Sequence, residues 1–276
     1  MSEKKPYFQS PAIESETIDS LSQKLFLANA QLTAANRALE KATREREDML
    51  ANISHDLRAP ITAIRSAVDY LTSGQEISME DYRTSIHLID HRTKTLEKLI
   101  QDMYYLFCVE DTSKKLELQT LDAVSFLEEY FYNTIPDRLY DNHDMVLDLP
   151  DDLHCQIQID LQKMIRVLDN LFTNAAKYSG PGSRITLTAA LAPAGDALII
   201  SVTDNGQGIP TESLPHIFNR TYTVSSSRTP GSTTGSGLGL SIVKAIVERH
   251  GGTVSCESRL GYGSCFQIKL PTGGVS

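Results

Sequence analysis

An α+β chain is predicted: one antiparallel helical hairpin per chain, preceded by a coiled coil and paired into a dimeric four-helix bundle, then an α/β sandwich domain. Three observations predict it. Steps of four and three separate Leu21, Leu25, Ala28, Leu32, Ala35, Leu39, Ala42, Arg46, Met49 and Ile53, a heptad seam sustained over more than four heptads. A second seam of the same period joins Tyr82, Ile86, Ile89, Thr93, Leu96, Ile100, Met103 and Phe107. Beyond the polar break at Glu110 to Lys115, short apolar strands alternate with amphipathic helices, which suggests one mixed or antiparallel sheet with helices covering one face.

The first seam requires a partner helix, because a lone stripe of this length would stay wet. It continues past Ile61 and Ile64 to Leu71, with Pro60 expected to kink the helix rather than end it. Gly74 is a fitting C-terminal cap, and Ser78 with Asp81 resembles a capping box that opens the second helix. The expected organisation is a polar tail or linker over 1–20, a coiled-coil signalling helix over 21–48, a dimerisation hairpin over 49–109 and the sandwich domain over 116–276. Within the last, strands are expected at 116–119, 144–149, 154–159, 184–192, 197–203, 253–258 and 264–270, and helices at 122–134, 160–178 and 238–250.

Composition excludes several functions. With 41% apolar and 22% charged residues the chain can bury a core, and a net charge of −9 without a basic stripe argues against nucleic acid. The four cysteines lack metal-ligand spacing and read as reduced thiols, although Cys256 and Cys265 fall on strands expected to pair and could be bridged. No run approaches the roughly 18 apolar residues of a membrane span, so a cytoplasmic chain, or the cytoplasmic part of a membrane receptor, is expected.

Four clusters carry chemistry. His55 lies two residues from seam position Ile53, roughly 200° around the helix, and so faces water. Asp56 can orient its ring or take its proton, leaving the other nitrogen as a nucleophile, and Arg58 can hold an incoming phosphate. Asn170, Asn174 and Lys177 share one helix face, where two carboxamides and an ammonium suit a magnesium-bound polyphosphate. Asp204-Asn-Gly206-Gln-Gly208 follows an apolar strand, so a carboxylate at the strand end can accept a hydrogen bond from an exocyclic amine. Gly235-Ser-Gly237-Leu238-Gly239 opens a helix whose free amides attract phosphates, and the polar loop from Thr211 to Thr234 is expected to close over a nucleotide.

In this order, from about residue 45 to 271, the pieces resemble the sensor histidine kinases of bacterial two-component systems. His55-Asp-Leu-Arg-Ala-Pro60 is similar to the phosphoacceptor box, Asn170 to Tyr178 to the N box and Asp204 to Pro210 to the G1 box; Leu214 to Phe218 resembles the F box, and Gly235 to Leu240 the G2 box. The resemblance implies a homodimer with a Bergerat-type ATP-binding domain, autophosphorylation of His55 from ATP and transfer to an aspartate of a response-regulator receiver domain. It also implies that Asn174 and Asn170 hold Mg²⁺, that Lys177, Tyr178 and Arg220 contact the nucleotide, that Asp204 reads adenine N6, and that Gly206, Gly208, Gly235, Gly237, Leu238 and Gly239 shape the pocket and lid. Two departures stand out. Ala59 occupies the place where many members carry Thr or Asn, which implies weak phosphatase activity. Thr221 and Thr223 replace aromatic and basic residues, a loss for which Arg228 could substitute. Two rivals are a dimeric scaffold that binds ATP without transferring phosphate, and an ATP-driven clamp. The clamp needs a glutamate where this chain has Asn170.

Overall fold

The computed structural model describes residues 12–74, 76–111, 114–220, 222 and 237–272. The chain falls into two units, Met1–Ser54 and His55–Ser276. Helix α1 (Ala12–Leu71) runs through both, with Pro60 inside it. In the first unit Leu21, Leu25, Leu32 and Leu39 are each at least 60% exposed, so the seam is unburied in a single chain. The side chains of Ala42, Arg46 and Met49 lie outside the described residues.

In the second unit, α1 ends in a turn where Gly74 takes a φ of 74°. Helix α2 (Met79–Glu110) opens on a reciprocal cap: the Asp81 amide donates to Ser78 Oγ at 3.0 Å, and the Ser78 hydroxyl donates to the Asp81 carboxylate at 2.7 Å. The two helices form the expected hairpin.

The sandwich follows as β1 (Gln119–Asp122), α3 (Ala123–Thr134), β2 (Asp144–Asp148), β3 (Gln156–Ile159), α4 (Leu161–Tyr178), β4 (Arg184–Leu191), β5 (Ala197–Asp204), α5 (Gly239–Arg249), β6 (Thr253–Arg259) and β7 (Gly263–Pro271). Short 3-10 turns at Arg138–Tyr140 and Leu214–His216 were not expected from the sequence. Aspartates cap α3 and α4: Asp122 accepts from the Ser125 amide, and Asp160 from that of Lys163. A mixed five-stranded sheet runs β2-β4-β5-β7-β6, with only β2 and β4 parallel. β1 and β3 form a separate two-stranded ladder, so two sheets replace the expected one. β1 also begins three residues later than expected, because its register with β3 starts at Gln119↔Ile159 and the Glu117 amide instead donates to the Asp160 carboxylate.

One face of the large sheet carries Ile185, Leu187, Leu198, Ile200, Val202, Phe266, Ile268 and Leu270, all at most 5% exposed. Against it pack α3 through Leu127 and Phe131, α4 through Leu168, Leu171 and Phe172, and α5 through Ile242, Ile246 and Val247. Phe172 meets Tyr130, Phe131 and Tyr140 edge-on at centroid distances of 5.5, 6.4 and 6.3 Å. The β6–β7 register opposes Cys256 to Phe266 and Cys265 to Glu257, which places the two cysteines on opposite faces; both are free, and the disulfide considered from the sequence does not form. Among the described residues no helix is long and apolar enough to cross a membrane.

His250 ties the two ends of the helical layer together. Its ring is buried, with Nδ1 bonded to the Ile246 carbonyl at 2.8 Å and Nε2 accepting from the Asp160 amide at 3.0 Å, an arrangement only the neutral ring can hold. Burial drives its pKa below the usual histidine value, partly offset by the Ile246 bond and by Asp160, and reinforced by Lys163 and Arg249. A depressed folded-state pKa contributes stability that is complete above the unfolded value near 6.5 and lost as pH falls. The wild type should therefore lose stability between pH 6.5 and 5.5 that His250→Gln does not, measured by urea unfolding. Equal pH slopes would contradict this.

Candidate functional site

Helix α4 is the spine of the site. Its apolar residues Leu168, Leu171, Phe172 and Ala175 are buried against the sheet, which turns Asn170, Asn174 and Lys177 to the opposite, half-buried side. Asn170 Nδ2 donates to the Arg166 carbonyl at 2.8 Å, so its Oδ1 points away from its own helix. That oxygen lies 2.8 Å from where a Cβ on Gly239 would stand, at the start of α5. A side chain at Gly239 would displace the carboxamide, so the glycine lets the first turn of α5 close on α4. Leu238, just before it, is buried, and Gly237 has a φ of 66°.

At its other end α4 meets the loop after β5. The Gln207 amide donates to the Tyr178 carbonyl at 3.1 Å, and a Cβ on Gly206 would stand 2.5 Å from the same oxygen. Asp204, 6% exposed, ends β5. It accepts the Gly206 amide at 2.8 Å and is also bonded by the Ser264 amide. Burial raises its pKa above the ordinary carboxylate value, and the two amides partly offset this. Lys177 Nζ lies 5.0 Å from the centroid of the Tyr178 ring, and burial, then the neighbouring Lys98, lower its pKa.

The β6–β7 hairpin props this loop, a support the motif pattern does not reveal. Gly208 has a φ of 69°, and a Cβ there would stand 2.1 Å from the Arg259 carbonyl oxygen. Gly263, at φ 107°, would place a Cβ 1.9 Å from the Asp204 carbonyl oxygen. Ser258 Oγ accepts the Ile209 amide at 2.8 Å and donates to the Gly263 carbonyl at 2.7 Å. The only sequence signal was Gly-Tyr-Gly at a hairpin tip, which reads as a turn. Gly263→Ala combines a conformation closed to L-residues with a backbone clash, so it should destabilise the fold by about 3 kcal/mol or more in chemical denaturation. A loss below about 1 kcal/mol would show that the strand end yields.

The structure thus brings together Asn170, Gly239, Tyr178, Gly206 and Asp204, with Asn174 and Lys177 on the same helix. Phe218, within the segment likened to an F box, meets Phe266 edge-on at 6.4 Å, and Arg220 is half-buried close behind it. Gly235, Arg228, Thr221, Thr223 and most of the loop expected to close over a nucleotide lie outside the described residues. The set fits a magnesium-bound polyphosphate: hard carboxamide oxygens, an ammonium and a helix N-terminus face a common side, and Mg²⁺ ordinarily completes its shell with phosphates and water. An open groove of about 410 Å³ over Thr186 and Thr203 lies on the other face of the sheet, since both alternate with the buried Ile185 and Val202.

His55 is not part of that set. It sits on α1 with its side chain 77% exposed, and its Nδ1 is 3.2 Å from Asp56 Oδ1. If Nδ1 carries the proton it donates to Asp56, and the Nε2 lone pair is left facing outwards.

Three family models match the chain: residues 13–76 match a histidine kinase model, residues 45–111 the His Kinase A (phospho-acceptor) domain, and residues 159–274 the histidine kinase-, DNA gyrase B- and HSP90-like ATPase. The chain is 32% identical over 237 residues to the sensor histidine kinase WalK of Bacillus subtilis, covering 84% of this chain and 38% of WalK. It is 32% identical over 231 residues to the sensor protein SrrB of Staphylococcus aureus, covering 82% of this chain and 38% of SrrB. The chain therefore spans about two fifths of the length of these relatives. Its fold is similar to that of histidine kinase AdeS of Acinetobacter baumannii, with a TM-score of 0.60, 24% identity and coverage of 80% and 98% of the two chains. It is also similar to histidine kinase ThkA in complex with the response regulator TrrA, with a TM-score of 0.63, 24% identity and coverage of 82% and 61%.

Proposed function

Because the chain belongs to the sensor histidine kinases, pairing their phosphoacceptor domain with their ATPase domain, we propose that it phosphorylates His55 from ATP. It then passes the phosphoryl group to an aspartate of a response-regulator receiver domain. The observation that carries this reading is the exposed His55–Asp56 pair on one helix of a chain whose α4, β5 and α5 converge on a separate nucleotide-like site.

In this reading His55 Nε2 attacks the γ-phosphorus. The N–P bond forms as the bond to the β,γ-bridging oxygen breaks, and ADP leaves. Asp56 orients the ring through Nδ1 and takes up the Nδ1 proton as positive charge develops, so a neutral phosphohistidine results. Asp204 accepts a hydrogen bond from adenine N6, and Lys177 and Tyr178 contact the nucleotide. Asn174 and Asn170 hold Mg²⁺, which when bound neutralises phosphate charge. Arg220, Gly235, Gly237, Leu238 and Gly239 shape the phosphate end and the lid. Positioning and charge neutralisation supply most of the acceleration.

The unburied leucine stripe of the first unit, with Ile86, Ile100 and Phe107 exposed on α2, supports a homodimer through the coiled coil and a four-helix bundle. Transfer is tested by mixing the labelled chain with an isolated receiver domain: label should move to the receiver, and a receiver lacking its acceptor aspartate should take none. Ala59 offers no hydroxyl or amide to orient a water, so dephosphorylation of the receiver should be weak. Ala59→Thr should raise that rate by at least tenfold with autophosphorylation unchanged. A wild type already fast in this assay would refute the assignment.

A further inference from the structure

A row of polar side chains crosses three strands beside the site. The register pairs Asp204 of β5 with Ser264 of β7, and Ser264 in turn with Ser258 of β6. All three lie on the helix-covered face of the sheet, in alternation with the buried Val202 and Phe266 two positions away. Asp204 and Ser264 are 6% and 8% exposed, and Ser258 is half-buried at the end of the row. The Ser264 amide bonds the Asp204 carboxylate, and Ser264 Oγ lies 3.0 Å from Ser258 Oγ.

Ser258 uses its hydroxyl to capacity. A hydroxyl has one proton to give and two lone pairs to fill. The proton goes to the Gly263 carbonyl at 2.7 Å, and one lone pair takes the Ile209 amide at 2.8 Å. The second lone pair faces Ser264, whose hydroxyl is the donor because the Ser258 proton is already engaged. One side chain thus ties the loop after β5, through Ile209, to the start of β7, where Gly263 lies against the Asp204 carbonyl.

The loop is also held by its main chain. The Gln207 amide donates to the Tyr178 carbonyl at 3.1 Å, and the Gly261 amide donates to the Gln207 carbonyl at 2.7 Å. These bonds fix Gln207 whatever residue stands at position 258. Ile209, two residues further on, is tied by the Ser258 side chain, so loss of that hydroxyl loosens the far end of the loop and leaves the near end anchored. The phosphate end of the site, at Asn170 and Gly239, is built from α4 and α5 and contains no member of the row.

We propose that Ser258 is a positioning residue for the nucleotide base. Its hydroxyl fixes the loop after β5 against the β6–β7 hairpin, and so sets the affinity for ATP without acting in phosphoryl transfer. The proposal rests on the kinase reading above and adds to it a residue that belongs to none of the sequence boxes. A serine serving only the packing of the strand end predicts the opposite pattern: lower stability with nucleotide affinity unchanged.

The experiment uses the full chain with Ser258→Ala and with Ser258→Thr, which keeps the hydroxyl on a side chain that strands accept. Three readouts are taken: the Kd of a non-hydrolysable ATP analogue by calorimetry, KM and kcat for labelling from γ-labelled ATP, and the urea midpoint. Ser258→Ala should raise both Kd and KM by roughly tenfold, an effect within the range for orphaning a buried amide, with kcat within about twofold of wild type. Ser258→Thr should stay within about threefold of wild type in both. An unchanged Kd in Ser258→Ala, with or without a lower urea midpoint, overturns the proposal. A fall in kcat with KM unchanged overturns it as well, since the residue would then act on the transfer itself. An affinity lost equally in Ser258→Thr shows that the hydroxyl is not what matters. If no protein, wild type included, takes label while the Kd still rises in Ser258→Ala, the positioning role stands and the kinase reading is what has failed. Should Ser258→Ala not fold, Ser258→Cys replaces it, because a thiol of similar size is a weak donor and acceptor. The same loss of affinity is then expected, and a Kd equal to that of the wild type counts against the proposal.

Discussion

Asp204→Asn should weaken ATP binding by roughly 30- to 150-fold, the equivalent of about 2–3 kcal/mol, while leaving the fold close to wild type. The asymmetry is the point of the substitution. Asparagine keeps a carbonyl oxygen to accept the Gly206 amide, so the loop after β5 retains its support. The amide nitrogen that replaces the second carboxylate oxygen is a donor, and it would meet the donor amine of adenine instead of an acceptor. Burial of Asp204 sharpens the effect, since an unmatched donor in a dry pocket is not rescued by water. Calorimetric titration with a non-hydrolysable ATP analogue checks it, with urea unfolding as the control. A binding change below about threefold would mean that adenine is not read at this carboxylate.

That substitution illustrates how much of the site the sequence disclosed. Asp204, Asn170 and Asn174 stood out as candidates because their local settings are unusual: a carboxylate at an apolar strand end, and two poor helix formers in register on an amphipathic helix. The helices α1 and α2 were legible for a related reason, because a sustained period of four and three has no common alternative. β1 was misplaced by three residues. Leu116-Glu117-Leu118 alternates like a strand, but the Asp160 carboxylate captures the Glu117 amide first. The separate β1–β3 ladder, the Gly263 contact with Asp204 and the Asp102–Arg166 ion pair all depend on residues tens of positions apart. No local pattern encodes such pairs, which are fixed by how layers pack. The disulfide weighed for Cys256 and Cys265 failed for the same reason, since a one-residue offset in register sends the two thiols to opposite faces.

The largest effect is expected at His55. Its exposure and its 3.2 Å partner Asp56 give it a free nitrogen with the rest of the ring oriented, and the nucleotide-like site holds no substitute nucleophile in the proposed mechanism. His55→Ala should therefore abolish phosphorylation rather than slow it, and nucleotide affinity should stay within about twofold of wild type because the residue lies outside the α4, β5 and α5 set. Asp56→Asn should retain slow labelling, since a neutral amide can still orient the ring but does not accept the Nδ1 proton. A reduction of roughly 100- to 10,000-fold is the order expected for loss of such a partner.

The most direct measurement is incubation of the wild type and His55→Ala with γ-labelled ATP and Mg²⁺, followed by acid and alkali treatment of the labelled chain. The account predicts label on the wild type that is lost in acid, survives alkali and maps to the peptide containing His55, with none on the variant. Undiminished label on His55→Ala, or no label on a wild type that binds ATP tightly, would contradict it.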